Sequence, residues 1–413
     1  MLTPDAALQR ILAALRARAP LPAERVSLGD AAGRALAEPV RAPRPLPAFD
    51  NSSMDGYALR AADAARPGAR LKIAFELFAG AAADRPLPAG ACCRIFTGAP
   101  LPPGADAVEM QEQVDRRGTI ATFRRAAARG RFVRLAGSDL AEGAVALARG
   151  AVLDAGAVGL AAALGRTELA VHRRPRVAIL ATGDELVPVD GSPRPGQLLD
   201  SNSHALAAAC REAGAEPLLL PLAGDDAAAL DRALVAAVGA DVLVTTGGVS
   251  VGERDLVRAA LSRAGVTLDF WKVAMRPGKP VAFGASERAV AFGLPGNPAS
   301  ALVTFELFVR PALRALAGLP GAGRAVLPAR LATAQEKPAE LTVFLRARAR
   351  VEAGALWLEP LGTQVSGHLT SVAGHQALAV LPAGPARLRR GARVTAILVA
   401  PPEGDALFHP GTP

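Results

Sequence analysis

Cysteine is scarce in these 413 residues. It occurs only as Cys92, Cys93 and Cys210, two of them adjacent, with no C-x-x-C spacing. A disulfide framework or a thiolate metal site is thereby disfavoured, and a reducing compartment is expected. Aromatic residues make up 4% of the chain, with a single tyrosine. That is too few for a base-stacking nucleic-acid surface. No apolar run reaches the ~18–20 residues of a membrane span. The start of the chain lacks a signal-peptide pattern, so a cytoplasmic soluble protein is expected. Lysine is confined to Lys72, Lys272, Lys279 and Lys337, although Lys and Arg together number 47 and the net charge is +9. The arginines are scattered, which reads as a solvated basic surface rather than a nucleic-acid stripe.

Signature motifs are missing too. There is no G-x-x-x-x-G-K-[ST] phosphate loop, no G-x-G-x-x-G dinucleotide fingerprint and no H-E-x-x-H. None of His172, His204, His368, His375 and His409 pairs at metal-ligand spacing. Nicotinamide binding and zinc chemistry are disfavoured.

What is present is organisation. The length exceeds one ordinary core, and 51% hydrophobic residues support several. Thr3-Pro4-Asp5 caps a first helix, with Leu8, Ile11, Leu12 and Leu15 at helical spacing. Residues 1–48, ending in a proline-rich linker, and 146–174 are expected to form one discontinuous, partly helical first domain. Residues 49–145 read as a β-rich second domain. Residues 175–320 alternate strands with helices, which implies a doubly wound α/β domain around a largely parallel sheet. Residues 325–405 read as a small β domain, a barrel or a sandwich. The fold class is therefore multidomain, α/β and β.

Three loops follow predicted strands of the α/β region: Thr182-Gly183-Asp184-Glu185, Thr246-Gly247-Gly248-Val249-Ser250-Val251-Gly252, and Gly293-Leu294-Pro295-Gly296-Asn297-Pro298. In open α/β sheets such loops converge on a ligand. Glycines let backbone N–H groups approach a phosphate, and Gly247, Gly248 and Ser250 suit that role. Asn297-Pro298 fits a helix start, with Asn as the cap. Glu185, Asp225 and Asp255, with Asp184, Asp226 and Glu253 nearby, supply hard oxygens of the kind Mg²⁺ takes alongside substrate phosphates. One of Asp225 and Asp226 is expected to be a helix cap. The turn Arg276-Pro277-Gly278-Lys279-Pro280 fixes two cations suited to an oxyanion. Phe49-Asp50-Asn51-Ser52-Ser53-Met54-Asp55-Gly56-Tyr57 and Arg94-Ile95-Phe96-Thr97-Gly98-Ala99-Pro100 read, on their own, as structural turns.

The succession Asp50–Tyr57, Thr97–Pro100, Thr182–Leu186, Gly247–Gly252, Lys279-Pro280 and Leu294–Pro298 resembles the MoeA family of molybdopterin molybdenumtransferases, a domain set also found in the C-terminal part of gephyrin. The resemblance runs from about residue 3 to residue 400. It implies a molybdopterin-binding central domain and insertion of molybdenum from molybdate into adenylylated molybdopterin, with Mg²⁺, releasing AMP. It also implies an elongated homodimer. The cleft would lie between the α/β domain of one subunit and the second domain of the other. Asp55 and Thr97 would come from the second domain, and Asp139 matches a further acidic position. Glu185, Asp225, Asp255, Pro295 and Pro298 would line the α/β side. Ser138 and the sparsely basic Arg134-Leu135-Ala136 depart from the family pattern. Transient contacts with other enzymes of molybdenum cofactor biosynthesis are expected, and no nucleic acid or membrane partner. Two other functions are weighed: a molybdopterin adenylyltransferase, which the 175–318 region also resembles, and a gephyrin-like scaffold.

Overall fold

A computed structural model describes residues 1–224, 226–247, 256–321 and 323–404, with only the backbone of Leu256. Asp225, Gly248, Ser250 and Asp255 lie outside the described residues. The chain folds as two compact units. The first comprises Met1–Val26, Gly33–Ala37 and the chain from Ala170 onward; the second comprises Ser27–Ala32 and Glu38–Leu169.

The first unit is built on a six-stranded sheet. Its elements are β1 (Arg176–Ala181), α2 (Asn202–Glu212), β2 (Glu216–Leu219), α3 (Ala227–Ala236), β3 (Val242–Thr246), α4 (Leu256–Arg263), β4 (Thr267–Phe270), β5 (Ala282–Ala285), β6 (Val290–Leu294) and α5 (Pro298–Thr304), with α1 (Pro4–Leu15) ahead of them. The sheet order is β2-β1-β3-β6-β5-β4. The first four strands are parallel, and β5 and β4 are antiparallel. β1, β3 and β6 are buried almost throughout, as parallel strands covered on both faces must be. The order reverses at β1, with β2 on one side and β3 on the other. This is the switch point where doubly wound sheets bind ligands.

Thr3 caps α1 through its hydroxyl, as the sequence predicts. Ile11 and Leu15 are buried in one core with Val177, Val244, Phe292, Phe305 and Phe308. The helical stretch that begins at Pro298, where the sequence places a helix start, is not uniform. Between α5 and α6 (Arg310–Leu316) stands a π turn, Phe305–Val309. Pro311 has no N–H to offer the carbonyl four residues back, and its ring crowds that carbonyl, so the ladder loosens just before it.

The C-terminal part of this unit resolves the choice between barrel and sandwich. β7 (Val326–Leu331), β8 (Thr342–Glu352), β9 (Ala355–Pro360), β10 (Ala377–Leu381) and β11 (Arg393–Leu398) pair in a ring. β8 joins β9, β9 joins β7, β7 joins β11, β11 joins β10, and β10 returns to β8. A closed ring leaves no free edge. Leu331, Leu345, Ala347, Leu358, Ala379 and Ala396 fill it. The pair Met275–Arg276 extends β8 in parallel, which ties the Arg276–Pro280 turn to the barrel.

The second unit is built on another six-stranded sheet, in the order Ala107–Met110, Gly56–Leu59, Ala91–Ile95, Arg70–Leu77, Ile120–Phe123 and Val114–Arg117. Alternate residues separate two cores: Tyr57, Leu59, Cys92 and Phe123 in one, Ala58, Cys93, Ile95 and Val108 in the other. Gly56 is required there, because a Cβ would lie 2.0 Å from the Glu109 carbonyl oxygen. The helix Ala155–Ala163 belongs to this unit, capped by the Asp154 carboxylate.

Candidate functional site

The three strand-end loops of the first unit meet. Thr182 N–H donates to the Thr246 carbonyl at 3.0 Å. The Thr246 hydroxyl donates to the Pro295 carbonyl at 3.1 Å. Asn202, at the start of α2, donates to the Thr246 hydroxyl at 2.9 Å and the Gly296 carbonyl at 2.7 Å. Asn202 is therefore the pin that holds the second loop to the third. Sequence reasoning missed it because one amide ahead of a helix reads as an ordinary cap.

Gly247 shows how tight the junction is. Its φ is +90°, and a Cβ there would lie 2.2 Å from the Thr182 carbonyl oxygen. Gly296 packs against it less tightly, since its own Cβ would lie 3.4 Å from the Gly247 Cα, an ordinary contact. Gly247→Ala is expected to cost about 2–4 kcal/mol, from strain plus a collision with backbone. Gly265, with φ +81° and open space around it, supplies the control: Gly265→Ala should cost only about 1 kcal/mol. Equal denaturation midpoints for the two variants would contradict this packing. Next to Gly247, the Thr182 hydroxyl is buried with no hydrogen-bond partner among the described residues. Such an orphan facing a glycine turn marks a place for a polar ligand atom.

The acidic loop lies beside these residues. Thr182 bridges Ala223, and Gly183 N–H donates to the Ala223 carbonyl at 3.2 Å. The Asp184 carboxylate stands 2.8 Å from where a Gly224 Cβ would be. The Glu185 carboxylate folds back over Gly183. Asp184 and Glu185 are both exposed. The loop thus presents carboxylates against the segment that leads to position 225. Asp226 is the helix cap of the acidic pair: its carboxylate accepts from Ala229 N–H at 3.0 Å. No group of three or more metal-ligating side chains assembles among the described residues. Pro295 is buried and Pro298 half-buried at the start of α5.

Asn297 occupies the cap position of α5, but its side chain does not cap the helix. Its amide donates to the Ser366 hydroxyl at 3.1 Å, and the Ser366 carbonyl accepts from Ala299 N–H at 3.0 Å. A loop of the barrel, residues 361–371, therefore closes onto the helix start.

Under that loop lies a residue the sequence did not disclose. Arg346 is 0% exposed. Its guanidinium donates to the Ser371 hydroxyl at 2.9 and 3.1 Å and to the Val365 carbonyl at 3.2 Å. It forms no ion pair among the described residues. Burial, and then the charge of Arg276, push its pKa down to about 10. Arg276 and Lys279 are exposed on the turn fastened to the same strand. Three cations, one buried and uncompensated, favour an oxyanion.

In the second unit the Asp55 carboxylate accepts from Thr97 N–H and from the Thr97 hydroxyl, both at 2.8 Å. The reason is register: Gly56 pairs with Ile95, so the residues flanking the two strands are neighbours. These bonds, the amide first, hold the Asp55 pKa below its ordinary 3.8. Because the folded value is depressed, the associated stabilisation is present above pH 3.8 and is lost as pH falls through the folded value. Thr97→Val keeps the amide bond and removes the hydroxyl, so the Asp55 carboxyl should titrate at higher pH by NMR. An unmoved titration would contradict the pairing. The loop that carries Asp139 is stitched to the same region: Val133 pairs with Ser52, and Ala136 N–H donates to the Asp50 carboxylate at 2.8 Å. Asp139 itself is exposed.

The three thiols are buried and pushed up to about 12 by burial, so they stay protonated and are poor metal ligands. No helix among the described residues is long and apolar enough to cross a membrane.

The comparisons with known proteins agree across the chain. Residues 2–165 match the MoeA N-terminal region (domain I and II), residues 178–315 the probable molybdopterin binding domain, and residues 328–399 the MoeA C-terminal region (domain IV). The chain is 41% identical to the molybdopterin molybdenumtransferase of Haemophilus influenzae over 77% of its length and 78% of that protein. It is 35% identical to that of Bacillus subtilis over 92% of its length and 91% of that protein. The crystal structure of the molybdopterin biosynthesis MoeA protein from Pyrococcus horikoshii matches at 28% identity, with a TM-score of 0.81, over 96% of this chain and all (100%) of that one. This chain, matched by all three MoeA regions and by relatives over most of its length, belongs to the MoeA family.

Proposed function

We propose that the protein is a molybdopterin molybdenumtransferase that inserts molybdenum from molybdate into adenylylated molybdopterin and releases AMP. The observation that carries this reading is the convergence of the Thr182, Gly247 and Pro295 loops at the sheet's switch point, beside the Arg276, Lys279 and Arg346 cations. The backbone at Gly247, with Gly248 and Ser250, holds a phosphate of the pterin substrate. The Thr182 hydroxyl orients a polar atom of it. The exposed Arg276 and Lys279 bind and orient molybdate, and the buried charge of Arg346, held beneath the 361–371 loop by Ser371 and Val365, adds to the attraction. A tetrahedral dianion is matched there by fixed N–H and O–H donors, which need no reorganisation when it enters. Molybdenum is ligated by the pterin's own sulfurs, consistent with thiols that stay protonated.

Mg²⁺ fits the hard carboxylates of the acidic loop. Glu185, with Asp225 and Asp255, would hold it, and it would offset charge on the phosphate anhydride. Asp55, hydrogen-bonded by Thr97, and Asp139 are proposed to serve the α/β domain of the other subunit of a homodimer. The division into residues 1–48 plus 146–174, 49–145, 175–320 and 325–405, a homodimer, a cytoplasmic location and transient contacts with other enzymes of the same biosynthesis belong to the same proposal.

The test is AMP release from adenylylated molybdopterin in the presence of molybdate and Mg²⁺. Asp255→Asn should lower the rate at least a hundredfold, and undiminished release would remove Asp255 from the reaction. Incubation with molybdopterin and ATP alone should give no adenylylated product; if it does, the protein is an adenylyltransferase instead.

A further inference from the structure

An open, cationic cavity lies at the C-terminal end of α2, against α6. It has a volume of about 420 Å³, within the range of small-molecule pockets. Its walls come from the end of α2, from α6, from the segment that leads into the barrel and from the end of β11. Its charged lining is Arg310, Arg314 and Arg324 against a single carboxylate, Glu212.

The ion pairs show which of these charges are already compensated. Glu306, carried on the π turn, accepts from Arg310 at 2.7 and 2.8 Å and from Arg324 at 2.9 and 3.3 Å. Glu212 accepts from Arg310 at 3.3 Å and from Arg324 at 3.2 Å. Two carboxylates thus serve two guanidiniums. Arg314 donates only to the Gly321 and Pro320 carbonyls, at 3.1 and 2.9 Å, and meets no carboxylate among the described residues. Burial, then Arg310 and Arg324, push its pKa down. Among the described residues, Arg314 is therefore the cationic wall group of the cavity without a carboxylate counterpart. A phosphate group accepts several parallel N–H bonds from such forks. The remaining wall, Leu398 to Pro401, is apolar and backbone-lined. It suits the organic body that carries the phosphate.

We propose that this cavity is a second anion site, which takes the phosphate group of a small phosphorylated metabolite. It is separate from the catalytic edge. Asn202 begins α2 at that edge and Glu212 ends it at the cavity, the last of its 11 residues, or about 15 Å away at a rise of ~1.5 Å per residue. The helix that starts at Pro298 makes the same journey to Arg310 and Arg314. An occupant would hold the distal ends of both helices that frame the catalytic loops.

Isothermal titration with inorganic phosphate, at constant ionic strength and without molybdate, which would compete as another tetrahedral dianion, tests the assignment. The wild-type chain should bind one phosphate. Arg314→Gln should weaken binding at least tenfold, and Glu212→Gln, which removes the one negative wall group, should tighten it severalfold. Arg346→Met, at the other end of the helices, should leave it unchanged. No binding below tens of millimolar phosphate overturns the proposal. So does binding that Arg346→Met abolishes while Arg314→Gln and Glu212→Gln leave it alone, because phosphate would then be occupying the catalytic oxyanion site. Glu212 is exposed enough to be replaced without loss of fold. The opposite signs for Arg314 and Glu212 cannot arise from destabilisation. None of these outcomes depends on the identity of the pterin substrate.

Discussion

Arg346→Met should raise the molybdate concentration for half-maximal activity by a factor of about 10 to 100, while the protein stays as stable as the parent to within about 1 kcal/mol. The first figure follows from the loss of one buried positive charge beside the oxyanion, about the 1.5–3 kcal/mol of a single charge-assisted bond. The second follows from the cost of keeping this residue. A buried guanidinium with no carboxylate partner is an unfavourable group, and its depressed pKa states the same thing. The folded value, about 10, is below that of a free arginine, so the unfolded chain binds the proton more readily. The penalty is present throughout neutral pH and fades only as pH rises above about 10. Methionine fills similar space without the charge. It gives up the bonds to Ser371 and Val365, which should roughly offset the relief. A variant that is stable but starved of molybdate is the signature of a functional residue. A variant with unchanged molybdate dependence would make Arg346 a structural strut.

Glu306→Ala should have the opposite profile, with a large loss of stability. The Glu306 side chain is 10% exposed and that of Arg310 is 3%. Burial pushes the Glu306 carboxyl up, but the hydrogen bonds and charges of Arg310 and Arg324 outweigh it, and its pKa lies below the ordinary 4.5. Its contribution is therefore present above pH 4.5 and lost as pH falls through the folded value. Removing it leaves Arg310 in the interior with only its 3.3 Å bond to Glu212, which should cost about 3 kcal/mol, the low end for deleting one partner of a buried pair. Urea denaturation followed by fluorescence should show a clear fall in the first transition at pH 7 and a smaller difference from the parent at pH 4. Asp115→Ala, which breaks an exposed pair with Arg124, should leave the midpoint where it was. Parity between the two variants would show that the π turn does not depend on this cluster.

These two residues also show what was legible in the chain. The α/β core could be read because strands covered on both faces are plain apolar runs, as at Val177 to Ala181 and Val242 to Val244. The loops after them stood out only together, because three strand-end turns carrying glycine and polar groups fall on one edge of the sheet. Arg346 could not be read. It alternates with Arg348 and Arg350 on one face of β8, and that period predicts three solvated arginines. Arg348 and Arg350 are indeed exposed and paired with Glu403 and Glu359. Only the loop of residues 361–371, folding over the outside of the barrel, buries the first of the three. A contact between residues that distant leaves no local period. Asn297 illustrates a smaller limit. Its place at the head of α5 was legible, but its side chain serves Ser366 rather than the helix, because a tertiary partner replaced the local cap. Closure of the barrel is likewise invisible in alternation, which is the same for a barrel and a sandwich.

The account is tested most directly by incubating the purified wild-type chain with adenylylated molybdopterin and following AMP and pterin-bound molybdenum together. With molybdate and Mg²⁺ both present, the two products should appear in equal amounts, and omitting molybdate should suppress both. AMP release that ignores molybdate, or no release under any condition, would contradict it.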